Sequence, residues 1–246
     1  MQRTRTVLVT GGAGGIGRGV AAAFAELGDT VVIADRDAQR VTETAQALGV
    51  HGRTLDITDE AAITRELDSV QEEFGPVEVL VNNAGLLTVH GTLLDLPGGD
   101  LDTILRTNVL GTFLMTQHTA RRMVDAGVAG AIVNLSSIGG RQPTPGMGGY
   151  ESSKAAVDAL TRWSAIELAD SGIRVNAVAP GPVLTEMMAV GMPEGSPQRE
   201  AWEQRIPLHK FASVEDVAAA AVFLAGDGAA HITGTSLAVD GGQLLT

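Results

Sequence analysis

Seven short apolar runs separated by six helical stretches predict an α/β fold: a doubly wound, mostly parallel seven-stranded sheet with helices on both faces. Three observations carry this. Most of the runs are continuous Val/Ile/Leu without polar alternation, as strands covered on both faces require. Helical stretches fall between successive runs, as repeated βαβ units demand. A glycine-rich turn joins the first run to the first helix.

The elements follow in order. The opening Met1-Gln2-Arg3-Thr4-Arg5 leads straight into a first strand at Thr6–Thr10, with no apolar leader and cleavage site. A helix is expected over Gly15–Leu27 and a second strand over Thr30–Asp35, which reads Thr-Val-Val-Ile-Ala-Asp. Helix Ala38–Leu48 precedes strand Val50–Thr54, and helix Asp59–Phe74 precedes strand Val79–Asn82. One long helix is expected over Gly99–Ala126, then strand Gly130–Ser136 and helix Ser152–Ser171. Strand Arg174–Ala179, helix Val214–Leu224 and strand Ser236–Val239 close the pattern. With 246 residues, no internal repeat and no linker, residues 1–246 are read as one domain.

Composition excludes several classes. Hydrophobic content of 44% suits a soluble globular chain, and no apolar run approaches the ~20 residues of a membrane span. The absence of cysteine excludes disulfides and thiol catalysis, and a cytoplasmic protein is expected. A net charge of −12 speaks against nucleic acid as a partner. No metal site is expected, because there is no cysteine and no His-Glu-x-x-His. A serine hydrolase is disfavoured by the lack of a Gly-x-Ser-x-Gly elbow and by five scattered histidines.

Chemistry is first visible at Tyr150. It is the single tyrosine of the chain, and Lys154, one of two lysines among 17 basic residues, stands four positions after it. Positions four apart share a helix face, so a phenol and an ammonium can meet there. A second signal is Thr10-Gly11-Gly12-Ala13-Gly14-Gly15-Ile16-Gly17, which lies between strand and helix as a Rossmann-type dinucleotide turn requires. Missing side chains let the backbone approach a pyrophosphate, and the helix N-terminus supplies N–H donors. The second strand ends at Asp35, eighteen residues after Gly17. A carboxylate there accepts from ribose hydroxyls and repels a 2′-phosphate, which favours NAD over NADP. Arg36 follows at once and pairs readily with a phosphate, so NADP stays open.

In this order and spacing the chain resembles the single-domain branch of the short-chain dehydrogenase/reductase family, over essentially its whole length. The matching segments are Thr10–Gly17, Asp35, Asp56, Asn82-Asn83-Ala84-Gly85, Asn108, Ser137, Tyr150-x-x-x-Lys154, Pro180-Gly181 and Thr185. Ser137, thirteen residues before Tyr150, has the separation usual in that family and is preferred over Ser136. The resemblance implies a catalytic set of Asn108, Ser137, Tyr150 and Lys154, with Asn108 positioning a relay water. It implies a cofactor site of Gly11, Gly14, Gly15, Ile16, Gly17, Asp35, Arg36, Asp56, Ile57, Asn83, Ala84, Gly85, Pro180, Gly181, Val183 and Thr185, together with Tyr150 and Lys154. Within it, Asp56 would bond the adenine amino group. Val183 would bind the nicotinamide carboxamide, and Thr185 that group or a phosphate.

The expected activity is hydride transfer between NAD(H) and a secondary alcohol or ketone. The rivals are an NADPH-dependent 3-oxoacyl thioester reductase and a non-catalytic nucleotide sensor. A phenol near pKa 10 is a poor base at neutral pH, so Lys154 and the positive nicotinamide ring are expected to lower it. Glu151 departs from the small or neutral residues common in relatives. It is expected to reach solvent, a subunit neighbour or a polar substrate, and would raise the pKa of Tyr150 if it turned inward. Residues 183–210, rich in Gly and Pro, read as a mobile substrate lid. Met147, Met187, Met188 and Met192 suggest an adaptable, partly apolar pocket, with His90, Gln142, Glu151 and Trp202 as further contacts. Apolar residues all round the helix Ser152–Ser171 suggest burial on two sides, one against a second subunit. With the resemblance, they imply a homotetramer joined through Gly99–Ala126 and Ser152–Ser171.

Overall fold

The computed structural model describes residues 4–87 and 90–246, and the side chain of Met187 lies outside the described set. The strands are β1 (Thr6–Thr10), β2 (Thr30–Asp35), β3 (His51–Thr54), β4 (Val79–Asn82), β5 (Ala131–Leu135), β6 (Arg174–Pro180) and β7 (Ser236–Val239). They form one seven-stranded sheet in the order β3-β2-β1-β4-β5-β6-β7, parallel throughout. The helices are α1 (Gly15–Glu26), α2 (Ala38–Leu48), α3 (Glu60–Phe74), α4 (Gly98–Leu105), α5 (Thr112–Asp125), α6 (Gly148–Leu168), α7 (Glu186–Gly191), α8 (Pro197–Glu203) and α9 (Val214–Ala225). Among the described residues no helix is long and apolar enough to cross a membrane.

Strand direction sends alternate side chains to opposite faces, and each face acquires its own core. Val7, Val9, Val31, Ile33, Val81 and Val133 pack beneath Val20 and Phe24 of α1 and Val217, Ala221 and Leu224 of α9. Leu8, Val32, Leu80, Ile132 and Val175 pack beneath Ile63 and Leu67 of α3 and Met115 and Met123 of α5. Two buried faces explain why β1, β4 and β5 are apolar without alternation. Local signals set the helix ends. Asp37 and Asp59 accept from Arg40 N and Ala62 N, and Ser213 with Asp216 forms a capping box.

The long helix expected over Gly99–Ala126 is instead three pieces. A π-helical turn at Arg106–Gly111 separates α4 from α5. Such turns insert residues into a helix and recur at functional sites. Here Gly111 meets the loop after β3: a Cβ built on it would stand 2.5 Å from Ile57 Cδ1 and 3.3 Å from Ile57 O. The turn also sinks Asn108 into the protein at 1% exposure. The helix expected from Ser152 begins at Gly148, which brings Tyr150 and Glu151 into its first turn. Two consecutive glycines, Gly148 and Gly149, disfavour helix there. Close packing overrides that preference, because a Cβ on Gly149 would lie 3.1 Å from Leu96 Cδ2. Residues 183–210 contain α7 and α8, capped by Thr185 and by Ser196 with Pro197 at the first helical position. Replacing Gly111 with alanine is expected to destabilise the chain by about 1–3 kcal/mol through overpacking against Ile57. Urea unfolding monitored by circular dichroism measures this.

Candidate active site

The strand order reverses between β1 and β4, and the loops leaving their carboxyl ends diverge to leave a crevice. The glycine turn lies on one side of it. Gly11 has φ +61, a conformation that disfavours side chains, and a Cβ on it would meet Ala84 Cα at 2.8 Å. A Cβ on Gly17 would run into Gly11 O and Asn83 Nδ2. Asn83 ties the turn to β4 by donating to Thr10 O (3.1 Å) and Gly11 O (2.9 Å). Thr10 Oγ1 accepts from Asn83 N and Ala84 N. The N-cap of α1 is Gly14, which offers no capping side chain, in contrast to α2, α3 and α9. The first N–H groups of α1 thus lack a side-chain acceptor. A compact glycine cradle at an uncapped helix N-terminus fits a dinucleotide pyrophosphate.

Asp35 ends β2 half-buried, and one of its oxygens accepts only from Asp37 N at 3.3 Å. Arg36 beside it is exposed. Arg40, one turn into α2, is a cation the sequence did not bring forward. Its guanidinium packs against Gly14 and makes no ion pair among the described residues. Asp56 follows β3 and is exposed, with Oδ1 accepting from both Thr58 N and Thr58 Oγ1 at 2.8 Å. Ile57 is buried against Gly111. Thr185 Oγ1 accepts from Met188 N at 3.3 Å and caps α7, which leaves its hydroxyl hydrogen free to donate. Val183 is buried and bridges to Ala212.

At the ends of β4, β5 and β6 the crevice deepens into a cavity of about 660 Å³. Ile16, Asn83, Gly85, Ser137, Tyr150, Lys154, Pro180, Gly181, Val183 and Thr185 all line it. Gly11, Gly14, Gly15, Gly17, Asp35, Arg36, Asp56, Ile57, Ala84 and Asn108 do not. They lie along the same carboxyl edge of the sheet or behind the wall. Met147, Met188, Met192, His90, Gln142, Glu151 and Trp202 also line the cavity, and Pro145 and Phe211 add apolar wall.

Lys154 is 5% exposed, and its Nζ donates to Leu135 O at 2.6 Å. The ammonium lies 5.6 Å from the centre of the Tyr150 ring. Burial lowers its pKa from 10.5 to about 8, against the opposing pull of Asp158. Asp158 stands one helical turn further along the same face. It is buried and accepts from Ser236 Oγ at 2.8 Å and Arg141 Nε at 3.4 Å. The spacing that pairs Tyr150 with Lys154 would have found Asp158 if carried one turn further.

The lowering expected for the Tyr150 phenol is not found in the chain alone. Burial pushes its pKa up, a Ser137 hydrogen bond works in the other direction, and the Glu151 charge pushes it up again. Lys154 is not among the groups that shift it, and its ammonium donates instead to Leu135 O. The expectation for Glu151 is also corrected in part. It does not reach solvent: it is 7% exposed, and its Oε1 accepts from Thr144 N at 2.7 Å. Helix α6 starts early enough to turn Glu151 toward the loop after β5.

Asn108 is placed by the π-helical turn. Its Nδ2 donates to Leu86 O (3.0 Å) and Ser153 Oγ (2.9 Å), and its Oδ1 accepts from Leu86 N (2.7 Å). Both amide hydrogens therefore brace the loop after β4 against α6. A Cβ on Gly85 would stand 3.3 Å from Asn108 Oδ1 and 3.6 Å from Lys154 Nζ, so this glycine keeps the two groups open to one another.

Comparison with known proteins gives the lineage. The family model described as enoyl-(acyl carrier protein) reductase matches residues 11–243. A 3-oxoacyl-[acyl-carrier-protein] reductase of Thermotoga maritima is 37% identical, covering 98% of this chain and 98% of its own. The chain belongs to the short-chain dehydrogenase/reductase family. A second member, the cis-4-hydroxycyclohexanecarboxylate dehydrogenase of Sinomonas cyclohexanicum, is 41% identical over 97% of this chain and 96% of its own. The solved structure of ElxO with NADP bound superposes with a TM-score of 0.94 at 34% identity, covering 99% of this chain and all of that one. The chain is accordingly a short-chain oxidoreductase that transfers hydride with NAD(P)(H).

The buried ammonium yields a prediction. Below pH about 8 Lys154 is charged folded and unfolded, and its burial opposes folding; the penalty fades as pH rises from about 8 to 10.5. Replacing Lys154 with methionine is expected to stabilise the cofactor-free chain by about 1–3 kcal/mol at pH 7, with the gain shrinking toward pH 10.5. Urea unfolding at a series of pH values measures the difference.

Proposed function

We propose that this chain is an NAD(H)-linked dehydrogenase that interconverts a secondary alcohol and its ketone, with Tyr150 as the acid–base group. The observation that carries this is the meeting of Tyr150, Ser137 and Lys154 on one cavity wall. When bound, the nicotinamide accepts or returns the hydride, and its oxidised ring supplies positive charge. Tyr150 takes the hydroxyl proton during oxidation and returns it to the carbonyl oxygen during reduction. Ser137 holds that oxygen and stabilises developing charge on it. Its Oγ already accepts from Gly139 N at 3.1 Å, which leaves its hydrogen for the substrate or the phenol. Lys154, charged at pH 7, would hold ribose hydroxyls of the cofactor. Because burial and Glu151 raise the phenol, the remaining lowering comes from the oxidised cofactor, which couples proton removal to its presence.

Gly11, Gly14, Gly15, Ile16 and Gly17 would hold the pyrophosphate, and Asp35 the adenosine ribose. Asp56 and Ile57, with Asn83, Ala84 and Gly85, would line the adenine and its ribose. Pro180, Gly181, Val183 and Thr185 would line the nicotinamide. The Asp35 carboxylate supports NAD over NADP. Arg36 and Arg40 reduce that discrimination, and with the name of the Thermotoga maritima relative they favour a second reading, an NADPH-linked 3-oxoacyl thioester reductase. Residues 183–210 would form the substrate lid. The exposed Trp163, which stacks on Phe113 at 6.0 Å, and the 79% exposed Ile166 support a homotetramer built through α5 and α6.

Tyr150→Phe is expected to reduce kcat by at least about a thousandfold while leaving NADH binding by fluorescence within a few-fold. Turnover with NAD⁺ is expected to exceed that with NADP⁺ more than tenfold in kcat/KM. The reverse preference would overturn the choice of NAD and support the second reading. Light scattering at micromolar concentration is expected to give the mass of four chains.

A further inference from the structure

Two acceptor oxygens in the cavity wall lack donors. Glu151 is buried with Oε1 bonded to Thr144 N, while Oε2 receives no hydrogen bond and no cation pairs with the carboxylate among the described residues. Gln243, at 3% exposure, reaches the same cavity from the C-terminal turn, and its Oε1 is buried without a partner. The turn that delivers it is fixed, because Asp240 accepts from Gly242 N and Leu244 N at 2.9 Å each. A buried acceptor left without a donor costs about 1–3 kcal/mol, which applies to Gln243 Oε1; Glu151 Oε2 adds a charged acceptor without a donor on the same wall, so together they favour a ligand that brings donors. Lys154 is the only Lys or Arg among the described lining residues, and it is already engaged with Leu135 O.

We infer that Glu151 and Gln243 select the substrate: a neutral, polyhydroxylated alcohol whose second hydroxyl donates to these acceptors while the first meets Tyr150. This rests on the alcohol-dehydrogenase reading and narrows it. A 3-oxoacyl thioester offers only acceptors beside its reacting carbonyl and leaves both oxygens unpaired. A substrate carboxylate next to Glu151 adds like-charge repulsion. Sites built to bond a substrate hydroxyl reject analogues lacking it far more strongly than apolar pockets reject a missing methylene. Glu151 is thus assigned as a specificity residue, and its place beside Tyr150 in sequence follows from recognition at the reacting centre.

The test compares trans-1,2-cyclohexanediol, cyclohexanol and cis-4-hydroxycyclohexanecarboxylate as substrates with NAD⁺, in the wild type and in Glu151→Gln. The glutamine keeps the shape and an acceptor for Thr144 N while exchanging the free acceptor for a donor. The wild type is expected to favour the diol over cyclohexanol at least tenfold in kcat/KM and to disfavour the hydroxy acid. In Glu151→Gln the diol-to-cyclohexanol ratio is expected to fall at least tenfold, and the ratio of hydroxy acid to diol to rise by a similar factor. Ratios cancel any change in the acidity of Tyr150 or in the amount of folded protein. Equal ratios in the two proteins, or a wild type that prefers the hydroxy acid, would overturn the inference. Calorimetric binding of the diol to the NADH complex separates the two levels. Tenfold weaker binding in Glu151→Gln without turnover keeps the recognition and rejects the dehydrogenase reading. No binding in either protein rejects the recognition itself.

Discussion

An ammonium taken out of water costs several kcal/mol unless hydrogen bonds and an opposite charge offset it, and Lys154 is at once almost wholly buried and indispensable to the proposed chemistry. Its surroundings follow from that constraint. Strand β5 ends so that Leu135 O is free for Nζ. Helix α6 carries Asp158 one turn on, and Asp158 is held by Ser236 from β7 and Arg141 from the loop after β5. Lys154 and Asp158 together therefore tie α6 to the carboxyl end of β5, where parallel sheets present ligands, and to Ser236, the first residue of β7. The offset is incomplete, since the pKa still falls to about 8, and the shortfall holds the ammonium near its working protonation.

The second constraint is the π-helical turn. A regular helix through Arg106–Gly111 would advance about 100° per residue; the π-helical turn alters that spacing and places Gly111 on Ile57 and Asn108 against Leu86. The distortion gives both. It lets one asparagine hold the loop after β4 and, through Ser153, the first turn of α6, where Ser153 Oγ donates to Tyr150 O at 2.6 Å. Positions of Gly85, Tyr150 and Lys154 are thereby linked across three elements distant in sequence.

What was legible in the sequence was whatever one element decides by itself. Unbroken apolar runs gave β1, β2, β4 and β7 to the residue, and the glycine turn with Tyr150 and Lys154 marked both ends of the crevice. Whatever depends on packing between elements was not. The π-helical turn needs Ile57 from another loop, and the early start of α6 needs Leu96 against Gly149. The inward turn of Glu151 follows from that early start. Helices α7 and α8 had local signals in Thr185 and in Ser196-Pro197, but the surrounding Gly and Pro pointed to an irregular lid. Gln243 had no local signal, because only the turn closed by Asp240 brings the C-terminal segment to the cavity.

The inward carboxylate also bears on how the acid–base group works. Glu151 raises the pKa of the neighbouring phenol and so opposes catalysis by the cofactor-free chain. A wall that existed only to tune Tyr150 would have no use for such a charge. It becomes intelligible if the same oxygen receives a substrate hydroxyl, since that bond partly neutralises the carboxylate just when a substrate is in place. The phenol then gives up its proton less readily in the resting protein and more readily in the assembled complex, so proton removal is favoured in the state in which a hydride acceptor is also present. Selectivity and timing would thus share one residue, placed beside Tyr150 by helix geometry and turned inward by the early start of α6, where Gly149 packs on Leu96.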